Sequence, residues 1–145
     1  MNFQRVEVDG VRVYGDRTWR GACPAEGQEQ ATFFNKIRRE FPDTYGALAV
    51  HIRNEQQLRG GQFSAVAKQK IEGMTPGASD IIIPARVTFV CELKRKDHTK
   101  SKWQPDQEKY LIAAHDNGAF ACVALGYEAA FEALYDWQKM QNNSR

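Results

Sequence analysis

Three consecutive isoleucines, Ile81–Ile83, constrain the fold of this chain more than any other feature of its sequence. A continuous β-branched run is typical of a strand that is buried on both faces, because a strand with one exposed face alternates apolar and polar residues. Two further apolar runs, residues 87–93 and 119–125, have the length of strands, and a helical pattern separates them. This order of elements predicts an α/β fold in which helices flank a mixed central sheet.

Helical patterns surround these runs. Phe33 and Ile37 recur at helical spacing, with acidic residues before them and basic residues after them, which predicts a helix over residues 26–41. The remaining predictions are a strand over residues 48–52, a polar loop over 53–62, and helices over 63–71, 104–115 and 127–140. In the last helix, an inward face is formed by Ala130, Phe131, Leu134 and Trp137.

The N-terminal residues 3–14 predict a β-hairpin. Valines alternate with polar residues on both sides of Asp9-Gly10. This dipeptide favours a tight turn between two strands, because glycine adopts a positive φ at little cost.

Composition excludes several classes of protein. The 145 residues, 42% hydrophobic and 26% charged, predict a single globular domain over residues 1–145. No apolar run approaches the ~18 residues of a membrane span, and the N-terminus lacks a secretory apolar region, so we expect a cytoplasmic protein. The cysteines show neither disulfide nor zinc spacing and are expected to be buried thiols; they are Cys23, Cys91 and Cys122.

The net charge of +2 is too small to identify a partner, but the charge is unevenly distributed. Residues 92–102 contain five basic and two acidic side chains, and Lys68 and Lys70 form a smaller basic pair upstream. Such a run is either a solvated loop or a surface for a polyanion.

Asp80, Glu92 and Lys94 are the candidate chemical residues. Glu92 and Lys94 point to the same face of the predicted strand, because side chains alternate along a strand. If the two strands pair antiparallel through the turn at Pro84, Asp80 neighbours both at one edge of the sheet. The two carboxylates, with the Leu93 carbonyl between Glu92 and Lys94, could bind Mg²⁺ or Mn²⁺, which prefer oxygen ligands. The alternative is a simple ion pair between Glu92 and Lys94.

The order of these motifs resembles a known family. Gly77-x-Ser79-Asp80, then Glu92-Leu93-Lys94, then a helix that contains Gln107 is similar to the PD-(D/E)xK nucleases, and most of all to the stand-alone phage and bacterial form of the VRR-NUC domain. The resemblance covers roughly residues 26–140. It implies a restriction-endonuclease-like αβββαβ core, here preceded by the predicted hairpin. Ser79 replaces the family's proline.

The resemblance also assigns roles. Asp80, Glu92 and the Leu93 carbonyl match the metal ligands, and Lys94 matches the catalytic lysine. Gln107 matches a glutamine that braces the phosphate or the lysine, with Gln104 as a second candidate. The early helical acid, a further catalytic and metal-binding residue, matches Glu26, with Glu29 as the rival. His51 lies in a segment that resembles one preceding a loop in phage members, and is either a phosphate contact or a plain strand-end histidine.

The resemblance implies that the basic residues bind the DNA backbone, because Lys and Arg neutralise phosphates irrespective of the base sequence. Trp103 either stacks on a base or belongs to the core or an interface. The predicted DNA-binding residues are Arg53, Asn54, Lys68, Lys70, Arg95, Lys96, Lys100, Lys102 and Gln104.

The resemblance therefore implies a Mg²⁺-dependent endonuclease of a bacterial or phage-infected cell, which hydrolyses phosphodiester bonds with a metal-activated water and prefers branched DNA such as a Holliday junction. Its partners would be DNA and a second copy of the chain, with no membrane. The dimer interface would be an apolar face of the final helix (Tyr135, Trp137, Met140) or the N-terminal hairpin. The alternatives are a DNA-binding module without turnover and an accessory protein of a phage replication or packaging complex.

Overall fold

The computed structural model of the chain describes residues 3–52, 73 and 75–143. In this part of the chain, a sheet of five strands has the order β1-β5-β4-β3-β2. The elements are α1 (Phe3–Val8), β1 (Arg12–Tyr14), α2 (Glu26–Glu40), α3 (Tyr45–Leu48), β2 (Val50–His51), β3 (Ile81–Ile83), β4 (Phe89–Lys94), a 3₁₀ turn (His98–Lys100), α4 (Pro105–Asp116), β5 (Phe120–Leu125) and α5 (Tyr127–Asn143).

The sheet is mixed, as predicted. β4 pairs antiparallel with β3, which places Ile81 opposite Cys91, and it pairs parallel with β5, which places Glu92 beside Val123. β2 pairs antiparallel with β3, and β1 pairs parallel with β5. All residues of β4 and β5 are buried. The centre of the sheet therefore carries the buried apolar runs that the sequence predicted.

Two apolar clusters cover the two faces of the sheet. On one face, α2 and α5 pack Phe33, Ile37 and Trp137 against β4 and β5. On the other face, α1 and α4 pack Val6 and Leu111 against the same strands. The side chains Ile81 and Ile83 are fully buried, whereas Ile82, which points to the opposite face, is half-buried. The prediction of a strand buried on both faces is therefore correct for one face of β3 and too strong for the other.

The predicted N-terminal hairpin is wrong. Residues Phe3–Val8 form α1, and β1 pairs with β5 instead of with the preceding residues. Gly10, with φ of 95°, ends the helix: its N–H donates to the Glu7 carbonyl at 3.0 Å, and the Val11 N–H donates to the Val6 carbonyl at 3.1 Å. A positive-φ glycine serves this helix cap as well as it serves a hairpin turn, so the dipeptide alone could not distinguish them.

Other boundaries differ by a few residues. The strand predicted over residues 48–52 is shorter, because α3 extends to Leu48 and its end is closed by the Ala49 N–H, which donates to the Tyr45 carbonyl at 2.8 Å. The loop predicted over 53–62 and the helix predicted over 63–71 lie outside the described residues. Cys91 and Cys122 are buried free thiols, as expected, but Cys23 is only half-buried because it lies in the segment before α2.

No helix in the described ranges combines the length and the apolar character that crossing a bilayer requires.

Candidate functional site

The candidate site lies where β3 begins and β4 ends. Because these strands are antiparallel, Asp80, which precedes β3, lies beside the end of β4 that carries Glu92 and Lys94. The Leu93 N–H donates to Asp80 Oδ2 at 2.9 Å, which fixes the carboxylate against the neighbouring strand. The Lys94 carbonyl accepts from the Gly126 N–H at 2.8 Å on the β5 side, so the Leu93 carbonyl, one residue earlier, faces the Asp80 side.

Burial raises the pKa values of both carboxyl groups at the site. Glu92 is 1% exposed, and burial raises its pKa well above its usual range; the charge of Asp80 raises this pKa further, and Lys94 opposes both effects. Burial also raises the pKa of Asp80, against the Leu93 N–H and the Lys94 charge, which lower it. Both groups are therefore harder to ionise than ordinary carboxyls, since Lys94 alone does not balance two buried negative charges.

Lys94 is held inside the protein with only 1% of its surface exposed. Its Nζ donates to the Lys102 carbonyl at 2.6 Å and to Gln107 Oε1 at 3.0 Å, and lies 3.4 Å from Glu92 Oε1. The ring of Trp103 lies 5.0 Å from Nζ. A buried ammonium requires such partners, because desolvation without them costs several kcal/mol. The cage fixes the lysine beside the carboxylates.

Gln107 connects this lysine to the start of α4. Its Oε1 also accepts from the Gln104 N–H at 3.0 Å, so one side chain caps the helix and orients Lys94. The side chain of Gln104 is exposed. The resemblance left open whether Gln107 braces the phosphate or the lysine; the structure places it against the lysine. Sequence reasoning missed the Lys102 carbonyl, because a main-chain ligand leaves no signal in residue type.

The two rival acids of α2 have different surroundings. Glu26 Oε1 lies 3.8 Å from Lys94 Nζ, at the candidate site. Glu29 is buried, and its Oε2 accepts from the Tyr127 N–H at 2.5 Å, where it binds the N-terminus of α5. Glu29 thus accepts from an N–H group that the first turn of α5 leaves without a partner inside the helix. Its negative charge also interacts favourably with the dipole of that helix. Of the two, Glu26 is the acid that the fold brings to the site.

His51 contacts the same edge of the sheet. Its Nδ1 lies 2.9 Å from the Asp80 carbonyl and 2.5 Å from the amide nitrogen of Gln30. The histidine therefore contacts the main chain of Asp80 from β2. Four of the predicted DNA-binding residues lie outside the described residues: Arg53, Asn54, Lys68 and Lys70.

Two cations of the basic run bind the protein's own main chain. Arg95 Nη2 donates to the Cys23 carbonyl at 2.7 Å, and Arg95 Nε donates to the Pro24 carbonyl at 3.0 Å. Lys100 Nζ donates to the Gly21 carbonyl at 2.7 Å. These contacts fasten the segment that precedes α2 to the loop that follows β4.

The other cations of this loop point outward. Lys96 is exposed, and its Nζ lies 4.7 Å from the ring centre of Trp19, while the side chain of Lys102 is exposed beside the caged Lys94. Trp103 is half-buried and its indole N–H donates to Glu108. Trp103 thus packs, partly buried, against the apolar cluster on this face of the sheet, and stacking on a base stays a prediction.

The donor set suits a hard divalent cation. Glu92 Oε2 is buried and has no hydrogen-bond partner among the residues that the structure describes. Within those residues, no three His, Cys, Asp or Glu side chains are grouped so that they could hold a metal ion. Mg²⁺ typically takes only one or two carboxylates, and water and phosphate complete its coordination. Two carboxylates with an unpartnered oxygen fit that requirement.

Comparison with family models finds no match, and neither does comparison with curated proteins. A solved structure described as "VRR_NUC domain protein" is similar, with a TM-score of 0.66 and 20% sequence identity over 83% of this chain and 92% of the other. The likeness extends over most of both chains. The predicted mixed α/β, restriction-endonuclease-like fold is thereby confirmed.

Proposed function

We propose that this protein is a metal-dependent DNA endonuclease that hydrolyses phosphodiester bonds, with a preference for branched DNA. One observation carries the proposal: the carboxyl groups of Asp80 and Glu92 meet at a sheet edge, where a Glu92 oxygen lacks a partner in the described part of the chain and Lys94 is caged beside them. A likeness of fold to a VRR_NUC domain protein supports it.

The cation would be held by Asp80 and Glu92, together with the Leu93 carbonyl that faces the same side. Mg²⁺ and Mn²⁺ both suit these oxygen donors. When bound, such a cation lowers the pKa of water and offsets negative charge on the scissile phosphate. Glu26, which the resemblance also assigned to the metal, lies beside Lys94, and we propose that it helps to balance and orient the ammonium.

The protein's own groups position the reaction. Lys94 presents a fixed positive charge beside the carboxylates, where it orients the attacking water and stabilises the charge that develops on the phosphate. Gln107 and the Lys102 carbonyl hold this ammonium, so little reorganisation is needed during the reaction. Burial around Glu92 excludes bulk water and strengthens these interactions.

DNA would lie along the exposed part of the basic loop. Lys96, Lys102 and Gln104 are exposed next to the caged lysine, and they would neutralise or contact backbone phosphates without reading sequence. A homodimer would place two such sites on two strands of a junction. Trp137 does not belong to the predicted dimer interface, because this side chain is 0% exposed and lies in the core, whereas Tyr135 on the same helix is 39% exposed. The N-terminal hairpin, the other predicted interface, does not form, because residues Phe3–Val8 are helical.

A cleavage assay on a four-way DNA junction tests this function. We expect the purified protein to cut the junction with Mg²⁺ or Mn²⁺ and not with EDTA. Asp80→Asn should lower the rate more than about 100-fold, since the loss of an outer-shell partner of a metal already costs 10–100-fold. The matched control is Asp116→Asn, an exposed aspartate at the far end of α4, which should cut normally.

Cleavage that survives Asp80→Asn would remove the site assignment. Junction binding without turnover under any divalent cation would instead favour a DNA-binding module.

A further inference from the structure

Arg95 joins the two elements that carry the candidate site. It follows Lys94 at the end of β4, and its half-buried guanidinium donates to the carbonyls of Cys23 and Pro24, at 2.7 and 3.0 Å. We propose that Arg95 is a positioning residue that holds the start of α2, and with it Glu26, against Lys94. This inference rests on the proposed nuclease function and departs from the phosphate-binding role that the sequence suggested for Arg95.

The start of α2 needs an external anchor. Its N-cap is Ala25, which has no side-chain oxygen to accept from the free N–H groups of the first turn. The two carbonyls that Arg95 binds belong to the residues directly before this cap. The end of β4 therefore supplies the restraint that the helix's own sequence lacks.

The anchor acts on the distance between Glu26 and Lys94. Glu26 is the first residue of α2, and its Oε1 lies 3.8 Å from Lys94 Nζ. Arg95 is fixed at both its main chain and its side chain, because its N–H also donates to Ser101 Oγ at 2.8 Å. A shift of Arg95 would move α2 relative to β4 and change the surroundings of the lysine.

The guanidinium suits this role better than an ammonium. Arginine presents its N–H donors in a rigid planar fork, whereas lysine presents a point charge on a flexible stem. Here the fork spans two successive main-chain carbonyls, so Arg95→Lys keeps the charge and loses the geometry. Lys102, in the same loop, has an exposed side chain and is the better candidate for a phosphate contact.

Two measurements distinguish the roles. We expect Arg95→Ala to lower kcat on the four-way junction by about 100-fold, the effect of a misplacement of roughly 1 Å, and Arg95→Lys to lower it less. When either Arg95 variant is combined with Asp80→Asn, the plot of log junction affinity against log salt concentration should keep its slope. Loss of a phosphate contact would instead reduce the slope by about 0.9 and raise KM, which is the result we expect for Lys102→Ala.

Lys139→Ala is the control for charge, since Lys139 is exposed in the last turns of α5, away from the site. A reduced slope for Arg95→Lys with kcat retained would overturn the proposal. Thermal melts verify folding, and if Arg95→Ala does not fold, Arg95→Lys carries the test.

A double-mutant cycle tests whether Arg95 acts through Glu26. If it does, adding Arg95→Lys to Glu26→Gln should lower kcat by less than about 2-fold beyond Glu26→Gln alone, because coupled residues are not additive. Losses that simply multiply, or a Glu26→Gln variant with normal kcat, would overturn the positioning role. Failure of the nuclease function itself would be separate: the wild-type protein would not cut the junction.

Discussion

The two ends of the β4 region bury polar groups in opposite ways. Before β4, the Trp137 indole N–H donates to the Val87 carbonyl at 2.7 Å, and the Val87 N–H donates to Gln141 Oε1 at 3.1 Å. At the other end, the ionisable side chains of Glu92 and Lys94 are buried, and Glu92 Oε2 lacks a partner among the described residues. The first end is satisfied and stabilises the fold. The second keeps buried ionisable groups with shifted pKa values, a feature that clusters at functional sites.

The largest effect on the free energy of unfolding is expected before β4, where the buried polar groups are hydrogen-bonded. Trp137→Ala should lower the free energy of unfolding by about 3–5 kcal/mol, because it removes a fully buried side chain and leaves a cavity in the core between α5 and the sheet. Urea unfolding monitored by circular dichroism measures this. Tyr135→Ala, on the same helix but 39% exposed, should lower it by less than about 1 kcal/mol. Equal losses for the two variants would contradict the assignment of Trp137 to the core.

Two buried glutamates sharpen the comparison. Glu108 accepts from the Trp103 indole N–H and lies 3.3 Å from Arg5 Nε, so Glu108→Gln should lower the free energy of unfolding by about 1–3 kcal/mol. Glu92→Gln removes a buried carboxyl with an unpartnered oxygen, and in EDTA it should leave the free energy of unfolding unchanged or raise it by up to about 1 kcal/mol.

The Gln variant of Glu92 should nevertheless lose junction cleavage, while the Gln variant of Glu108 should keep it when folded. Chemical unfolding in EDTA and the cleavage assay together measure both effects. A large loss of stability on Glu92→Gln would mean that the polar groups at this end of β4 are hydrogen-bonded as fully as those before β4.

The smallest effect concerns the loop that follows the charged end. Asp97 is buried and accepts from the Thr99 hydroxyl at 2.6 Å, the Thr99 N–H at 3.1 Å and the Gly21 N–H at 3.2 Å. The Thr99 hydroxyl is the main cause of the lowered pKa of Asp97. A lowered folded-state pKa contributes stability above the unfolded value, and that contribution is lost as the pH falls through the folded value.

We therefore expect Asp97→Asn to be less stable than the wild type near neutral pH, and the difference to shrink as the pH falls below the ordinary aspartate value of 3.8. Urea unfolding at a series of pH values measures it. The exposed Asp116→Asn serves as the control and should differ little from the wild type throughout. A difference that is independent of pH would show that Asp97 acts through packing rather than through its charge.

The sequence could predict what depends on local pattern. The isoleucine run, the helix over residues 26–41 and the alternation of Glu92 and Lys94 each describe neighbouring residues, and the structure agrees with them to within a few residues. The structure also meets the condition on which the site depended, antiparallel pairing of the two strands through the turn at Pro84. That pairing alone was enough to bring Asp80 beside Glu92.

The sequence could not predict contacts that depend on packing between distant elements. Glu26 and Glu29 both suit the first turn of a helix, and only the docking of α5 assigns Glu29 to the Tyr127 N–H. Gly10 suits a hairpin turn as well as a helix cap, and only the pairing of β1 with β5 decides between them. The sequence placed Trp137 both on the inward face of the last helix and in a dimer interface, and only the packing of this helix on the sheet decides for the core.

The sequence by itself determined the apolar strands, the main helices and the order of acidic and basic groups along the chain, because periodicity and alternation are properties of neighbouring residues. The tertiary structure decided which of these groups meet. It caged Lys94 with a main-chain carbonyl and a glutamine, and it turned Arg95 toward the start of α2. These choices depend on the distances between packed elements, which residue types do not encode.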